Sequence, residues 1–304
     1  MFIYTIVNPG SEKLLKEEIA YKYPNLSFAY SRPGYLTFKD RSENFDSDSR
    51  LNLVFARSYG MSLGRFTPET VEDEIKKYPS YKVHRFSLIK EEFSGETAKL
   101  GDTVLDVIEV KEGEIWLGTR KIEEFCWKYP GANPHLSLPE ESPSRAYLKI
   151  AEALLWADYD YKDNENVLDL GSAPGGSSYA LLERGFRVWG VDNALMSDTL
   201  LKNPMFTHLK DPMQRVHDDV LPRPCHILIS DVNVLPSLNM GQIKRFTAMR
   251  PSIHTVFYTL EIGEKISVRE ILDHIKTFKY FGFKEVRATQ LPSHKSEVLL
   301  YGKK

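Results

Sequence analysis

Polar and apolar positions along the first 120 residues switch between two periods. Residues 2–7, F-I-Y-T-I-V, read as a strand, and residues 11–23 carry Leu14, Leu15, Ile19 and Ala20 at helical spacing. Strand signals follow at 26–30 and 35–38, parted by R-P-G, then at 83–89, 104–110 and 114–118, with a helix near 68–77. This predicts a small α+β module. Beyond residue 160 the chain alternates more regularly, with apolar runs at 167–170, 188–191, 206–209, 227–230 and 255–259 separated by helix-length segments. Such alternation predicts an α/β domain with a mostly parallel sheet and helices on both faces. Two last runs, 284–290 and 297–301, are parted by the short turn L-P-S-H-K-S and are expected to pair antiparallel.

Between the two patterns, residues 129–143 read Y-P-G-A-N-P-H-L-S-L-P-E-E-S-P, with four prolines, one glycine and no period. That is how a linker reads. The expected organisation is a domain over 1–128, a linker over 129–143 and a second domain over 144–304. A length of 304 residues with 42% hydrophobic content is enough for two cores.

Composition narrows the setting. The opening M-F-I-Y-T-I-V-N-P-G lacks a basic start, and its apolar run is broken by Asn8, Pro9 and Gly10, so no targeting segment is expected. No apolar run reaches the roughly 20 residues of a spanning helix. Cys126 and Cys225 are the two cysteines, which supports neither a disulfide framework nor a zinc site, and the reading is a cytoplasmic protein without a metal. Residues 1–140 carry 19 basic and 22 acidic side chains, and residues 141–304 carry 21 and 20, so neither half is a basic domain. A nucleic-acid surface would need local clusters, for which Lys82, Arg85 and Lys90, or Lys244, Arg245 and Arg250, are candidates; a solvated face is the bland alternative for each.

Chemistry concentrates at V-L-D-L-G-S-A-P-G-G, residues 167–176, where a strand meets a glycine-rich turn and the start of a helix. Gly171, Gly175 and Gly176 allow a tight bend and close approach of backbone to a ligand. Asp192 ends the next strand run about 20 residues on, where an acidic side chain can hold a ribose hydroxyl pair. Ser172, Ala173 and Pro174 separate Gly171 from Gly175, which is not the dinucleotide fingerprint G-x-G-x-x-G, so no diphosphate is expected and S-adenosyl-L-methionine suits the loop better. Asp169, Gly171, Ser172, Ala173, Pro174, Gly175, Gly176 and Asp192 form the expected cofactor site.

Residues 142–304 resemble the FtsJ-like ribose 2'-O-methyltransferases of RNA, nearest to the RlmM type that modifies a cytidine of large-subunit ribosomal RNA. The resemblance rests on S-P-S-R-A-Y-L-K, D-L-G-S-A-P-G-G, V-W-G-V-D-N, I-L-I-S-D-V and the terminal S-E-V-L-L, and more weakly on N-P-G-S-E-K-L-L-K-E-E-I and L-V-F-A-R-S in the first half. It implies a Rossmann-like S-adenosylmethionine-dependent methyltransferase domain behind a THUMP-like RNA-binding domain, here shorter than usual for the type. It also implies a catalytic Lys-Asp-Lys-Glu tetrad, of which Lys149, Asp231 and Glu297 match three members. The third member is a lysine near the end of T-V-F-Y-T-L-E; Glu261 stands there, with Lys265 as the alternative cation. Asp211 matches the acidic residue that holds the adenine amino group. The bare D-V-N-V after the fourth strand lacks the N-P-P-Y type signature of base amino-group methylation.

A ribose hydroxyl is a weak nucleophile, and methylating it calls for in-line positioning and a group to take its proton. A neutral lysine can do so if its surroundings lower its pKa, whereas added carboxylates raise it. The expected function is therefore S-adenosylmethionine-dependent 2'-O-methylation of RNA, with large-subunit (23S) ribosomal RNA as partner. The alternatives are an RNA-binding or ribosome-assembly protein that keeps the fold without turnover, and a small-molecule O-methyltransferase.

Overall fold

The computed structural model describes residues 1–46, 48–162, 164–263 and 267–304. The chain divides into two compact units, Met1–His135 and Leu136–Lys304. In the first, β1 (Phe2–Val7), β2 (Leu26–Arg32), β3 (Tyr35–Asp40), β4 (Ala56–Phe66), β5 (Lys82–Ser87), β6 (Phe93–Ser94), β7 (Thr103–Lys111) and β8 (Glu114–Lys121) form one sheet. Helices α1 (Glu12–Lys22) and α2 (Pro68–Ile75) accompany it. The strand order is β2-β3-β1-β4-β8-β7-β5-β6, antiparallel throughout except for β5 beside β7.

The sequence reading missed β4, whose run A-R-S-Y-G-M-S-L-G-R-F contains two glycines that argue against a strand. Packing explains one of them: a Cβ on Gly60 would stand 2.8 Å from the Tyr4 ring, and one on Gly118 of β8 would stand 2.3 Å from it. The Tyr4 hydroxyl donates to Asp106, which pairs with buried Arg120 at 2.6 Å. Arg120 also donates to the carbonyls of Trp127 and Tyr129 and to Nδ1 of His84. A buried charge pair survives only with such additional bonds.

The second unit contains α3 (Ala146–Trp156), β9 (Asn166–Leu170), α4 (Gly176–Leu182), β10 (Arg187–Val191), α5 (Asp198–Leu201), β11 (Phe206–Leu209), β12 (Ile227–Ser230), α6 (Pro236–Met249), β13 (Thr255–Glu261), α7 (Val268–Tyr280), β14 (Glu285–Thr289) and β15 (Glu297–Lys303). Its sheet runs β11-β10-β9-β12-β13-β15-β14. The first five are mutually parallel, and β15 enters antiparallel between β13 and β14. The hairpin of the last two strands is thus present as the sequence suggests, with its second strand on the inside.

Every residue of β12 and four of the five in β9 are buried, so both faces are covered. Adjacent residues of β13 identify the covers, because their side chains point to opposite faces. Phe257 and its cross-strand partner Tyr301 contact each other, and Tyr301 meets Trp156 of α3, whereas Tyr258 stacks on Phe278 of α7. Helices α3 and α7 therefore lie on opposite faces. Helix α7 starts at a capping box in which Ser267 and Glu270 satisfy each other's backbone N–H.

The charge clusters read from the sequence are largely committed inside their own units. Arg250 is buried, bound to Asp218 and to the Pro222 and Leu221 carbonyls, and Arg245 donates to the carbonyls of Met213 and Val216. These two are structural rather than phosphate-facing, a correction to the expected cluster; Lys244 remains exposed. In the first unit Arg85 forms a forked pair with Glu72, and Lys82 and Lys90 pair with Asp102 and Glu109. No helix among the described residues is long and apolar enough to cross a membrane.

Candidate active site

The loop after β9 is shaped by contacts that forbid side chains. Gly171 has φ +77°, and a Cβ there would stand 2.7 Å from the Asp231 carbonyl oxygen. Gly175 has φ +122°, and its Cβ would stand 2.7 Å from Leu200; one on Gly176 would stand 2.2 Å from the Ser144 hydroxyl oxygen. Only glycine meets both demands at Gly171 and Gly175. The result is a tightly folded backbone turn, a cradle pressed against the end of β12.

Asp192, at the end of β10, accepts from the backbone N–H of Ala173 at 3.1 Å and of Ala194 at 2.9 Å. A carboxylate has about four acceptor sites, so these two bonds orient it and leave capacity for a diol. Ser172 is buried in the same loop. Pro174 follows in the turn, and its carbonyl accepts from Ser197 N–H. Asp169 is buried completely and accepts from the hydroxyls of Ser177 and Ser178, both at 2.7 Å, tying β9 to the first turn of α4. Burial pushes its carboxyl up to about 6 against the opposing pull of those two hydroxyls. Asp211 lies in the exposed loop after β11, the outer strand, and Asp218 further along is taken by Arg250 and Arg223. The oriented Asp192 beside the glycine turn fits an adenosyl cofactor: two backbone N–H groups aim the acidic group before a ligand arrives, and the glycines let the turn fold tightly next to it.

A second cluster stands at the neighbouring strand ends. Lys149 of α3 reaches Asp231, just beyond β12, with Nζ to Oδ2 at 3.1 Å, and Glu297, the first residue of β15, at 3.1 Å. Asp231 also donates its backbone N–H to the Leu170 carbonyl, so one residue joins the two clusters. Glu297 is held in turn by the backbone N–H groups of Lys295 at 2.8 Å and Ser296 at 2.9 Å. Burial alone would lower the Lys149 pKa, but the charges and hydrogen bonds of Asp231 and then Glu297 outweigh it, and the net shift is upward. Burial likewise opposes Glu297, yet the Lys149 charge and the Lys295 amide hold it below the usual carboxylate range.

Glu261 ends β13 directly opposite Glu297 and on the same sheet face. It is exposed, and among the described residues Asp231 and Glu297 are the acidic groups within ion-pair reach of Lys149. Lys149 therefore sits between two carboxylates. Lys265 lies outside the described residues. Among those described, no group of three or more potential metal ligands gathers.

Two residues of this neighbourhood escaped the sequence reading. Glu152, one turn beyond Lys149 on α3, is buried and accepts from the Ser293 N–H at 2.9 Å. His294 is buried in the turn before β15, and burial pushes its imidazole down to about 4 despite the neighbouring Glu297 charge. An acid inside the apolar helix run Y-L-K-I-A-E-A-L-L was the available signal for Glu152.

A parallel sheet carrying a glycine cradle, an oriented acid after the second strand and an inserted antiparallel strand defines a Rossmann-like methyltransferase. The FtsJ-like methyltransferase family model matches residues 143–297, half of the chain, and the chain belongs to that family. Ribosomal RNA large subunit methyltransferase M of Azoarcus sp. (strain BH72) is 28% identical over 212 residues, covering 67% of this chain and 57% of that protein. The protein of the same name from Colwellia psychrerythraea is 42% identical over 82 residues, 25% of this chain and 22% of that one. The chain spans about half the length of the curated relatives it matches. Among solved structures, a Plasmodium falciparum chain provisionally described as a ribosomal RNA methyltransferase aligns with a TM-score of 0.41 and 20% identity, over 53% of this chain and 97% of that chain.

Proposed function

We propose that this protein transfers a methyl group from S-adenosyl-L-methionine to a ribose 2'-hydroxyl of RNA, with large-subunit (23S) ribosomal RNA as its substrate. The observation that carries the reading is the abutment of the two clusters: Gly171 of the cradle lies against Asp231, which in turn holds Lys149. A donor held by the cradle and an acceptor held by Lys149 would meet at one strand end. Matching the FtsJ-like family model and relatives named as methyltransferases of large-subunit ribosomal RNA support the substrate class.

The loop 171–176 and Asp192 would hold the cofactor, with Asp211 near its adenine and Asp169 bracing the loop from below. When bound, S-adenosylmethionine supplies an electrophilic methyl group on a sulfonium. Lys149 is the base that receives the hydroxyl proton. Asp231 and Glu297 aim its Nζ and keep it charged at rest, so the active form is the minority that has lost its proton. Glu261 takes the place of the family's second lysine at the rim. Residues 1–128, within the first unit, serve as a THUMP-like RNA-binding domain, joined through 129–143 to the methyltransferase domain over 144–304.

Incubation with radiolabelled S-adenosylmethionine and unmodified large-subunit ribosomal RNA tests the reading, with Lys149→Ala as control. Label on ribose that falls about 100-fold or more in the variant is the expected result. Cofactor binding without label on any RNA would refute transfer and leave an RNA-binding protein, the reading that an anion at Glu261 favours.

A further inference from the structure

The geometry points to Glu152 and His294 as positioning residues that clamp the turn between β14 and β15 and so deliver Glu297 to Lys149. This rests on the role given to Lys149 above. The turn is short, and its bonds converge. Its Ser293 N–H is held by Glu152, which stands on the same helix as Lys149 and three residues along, hence on the same face. Leu291 donates its N–H to His294 Nδ1 at 3.4 Å, and Gln290 donates to the Lys295 carbonyl at 3.3 Å. The Lys295 and Ser296 amides both end on Glu297 Oε2, which leaves Oε1 for Lys149.

One helix therefore carries both the lysine and the anchor for the strand that brings its second carboxylate. If the anchor slackens, the Lys295 and Ser296 amides leave Glu297 Oε2, its carboxylate loses its aim although the ladder with β13 still holds its backbone, and Lys149 keeps Asp231 alone. His294, with Nδ1 accepting, carries its proton on Nε2 and is neutral; the charged groups facing it are Glu297 and Lys149. A protonated His294 would repel Lys149 and compete for Glu297. The imidazole thus fills the turn without disturbing the pair, which a lysine or arginine in its place could not do.

The test reads Lys149 directly and needs no turnover. The full chain labelled with 13C at lysine Cε is titrated by NMR, with Lys149→Arg identifying the signal. Glu152→Ala and His294→Ala are expected to lower the Lys149 midpoint by about one pH unit, the scale of losing one nearby opposite charge. Glu152→Gln and His294→Asn keep the acceptors and are expected to restore the wild-type midpoint. Donor affinity should be unchanged in all four. Wild-type titration in both folded alanine variants would overturn the proposal. Where an alanine variant fails to fold, hydrogen exchange in the wild-type chain decides: slow exchange at Ser293, Lys295 and Ser296 supports the clamp, and free-loop exchange there overturns it. An inactive protein with these shifts intact would count against the proposed function and leave the clamp standing.

Discussion

With Lys149 as the proposed base, raising the pH should accelerate methyl transfer steeply, because that lysine is held in its charged form. Lys149 sits between two carboxylates at 3.1 Å each, and their combined effect places its pKa above the ordinary lysine value. That ordinary value is about 10.4, so at pH 7.5 fewer than about one molecule in a thousand has a neutral Lys149. Turnover limited by that fraction climbs about tenfold per pH unit, or about a thousandfold from pH 6.5 to 9.5. Glu297→Gln removes one of the two charges and should bring the profile about one unit lower, so that the variant levels off while the wild type still rises. The assay is single-turnover transfer of radiolabelled methyl to ribosomal RNA with protein in excess, in incubations short enough to spare the RNA. A wild-type plateau below pH 8 would refute the reasoning, since no lysine held as Lys149 is held titrates there.

Other consequences are separable. Gly171→Ala should weaken S-adenosylmethionine binding about tenfold or more in calorimetry and cost about 1–3 kcal/mol of stability, because the new Cβ meets both a positive φ and the Asp231 carbonyl. Asp169 should make the second unit gain stability in mild acid: its folded pKa of about 6 exceeds the unfolded value, so the cost of burying the anion is felt above pH 6 and relieved toward pH 4. The difference between wild type and Asp169→Asn in denaturant melts at pH 7 and 4.5 should change by up to about 3 kcal/mol, and a constant difference would refute the assignment. His84 should act in the opposite sense in the first unit. Burial holds its pKa below the ordinary value despite Asp106, with Arg120 adding to the fall, so its contribution is full above about pH 6.5 and is lost in acid; His84→Gln should flatten that loss. Phe278→Ala, on the sheet face away from Lys149, should cost about 3–5 kcal/mol in unfolding and leave donor affinity unchanged.

Legibility in the sequence followed physical locality. The strands β9, β12 and β13 could be read because a strand covered on both faces is a run of apolar residues, and the cradle because three glycines and a downstream acid belong to one local unit. Strand β4 could not, since Gly60 is there for the Tyr4 ring, a contact that exists only after β1 and β8 have flanked it. The same holds for the acidic cluster. Lys149, Asp231 and Glu297 are separated by 82 residues in the first gap alone, and only the family resemblance put them together beforehand. Glu152 and His294 had no motif to announce them. Arg250 misled in the other direction: its charge suggested an outer surface, but four carbonyl and carboxylate partners draw it inside.

The insertion of β15 between β13 and β14 sets an order of assembly. The glycine turn needs β9, β10, the Leu200 region and the Asp231 carbonyl after β12, whereas Lys149 gains its second carboxylate only when β15 has slid into the gap beside β13 and brought Glu297 with it. A chain emerging from its N-terminus would complete the contacts of the glycine turn about 66 residues before it reached Glu297. Folding order thus sets the charge state of the site: until β15 arrives Lys149 has Asp231 alone, and the last strand of the sheet to be synthesised completes its pair of carboxylates.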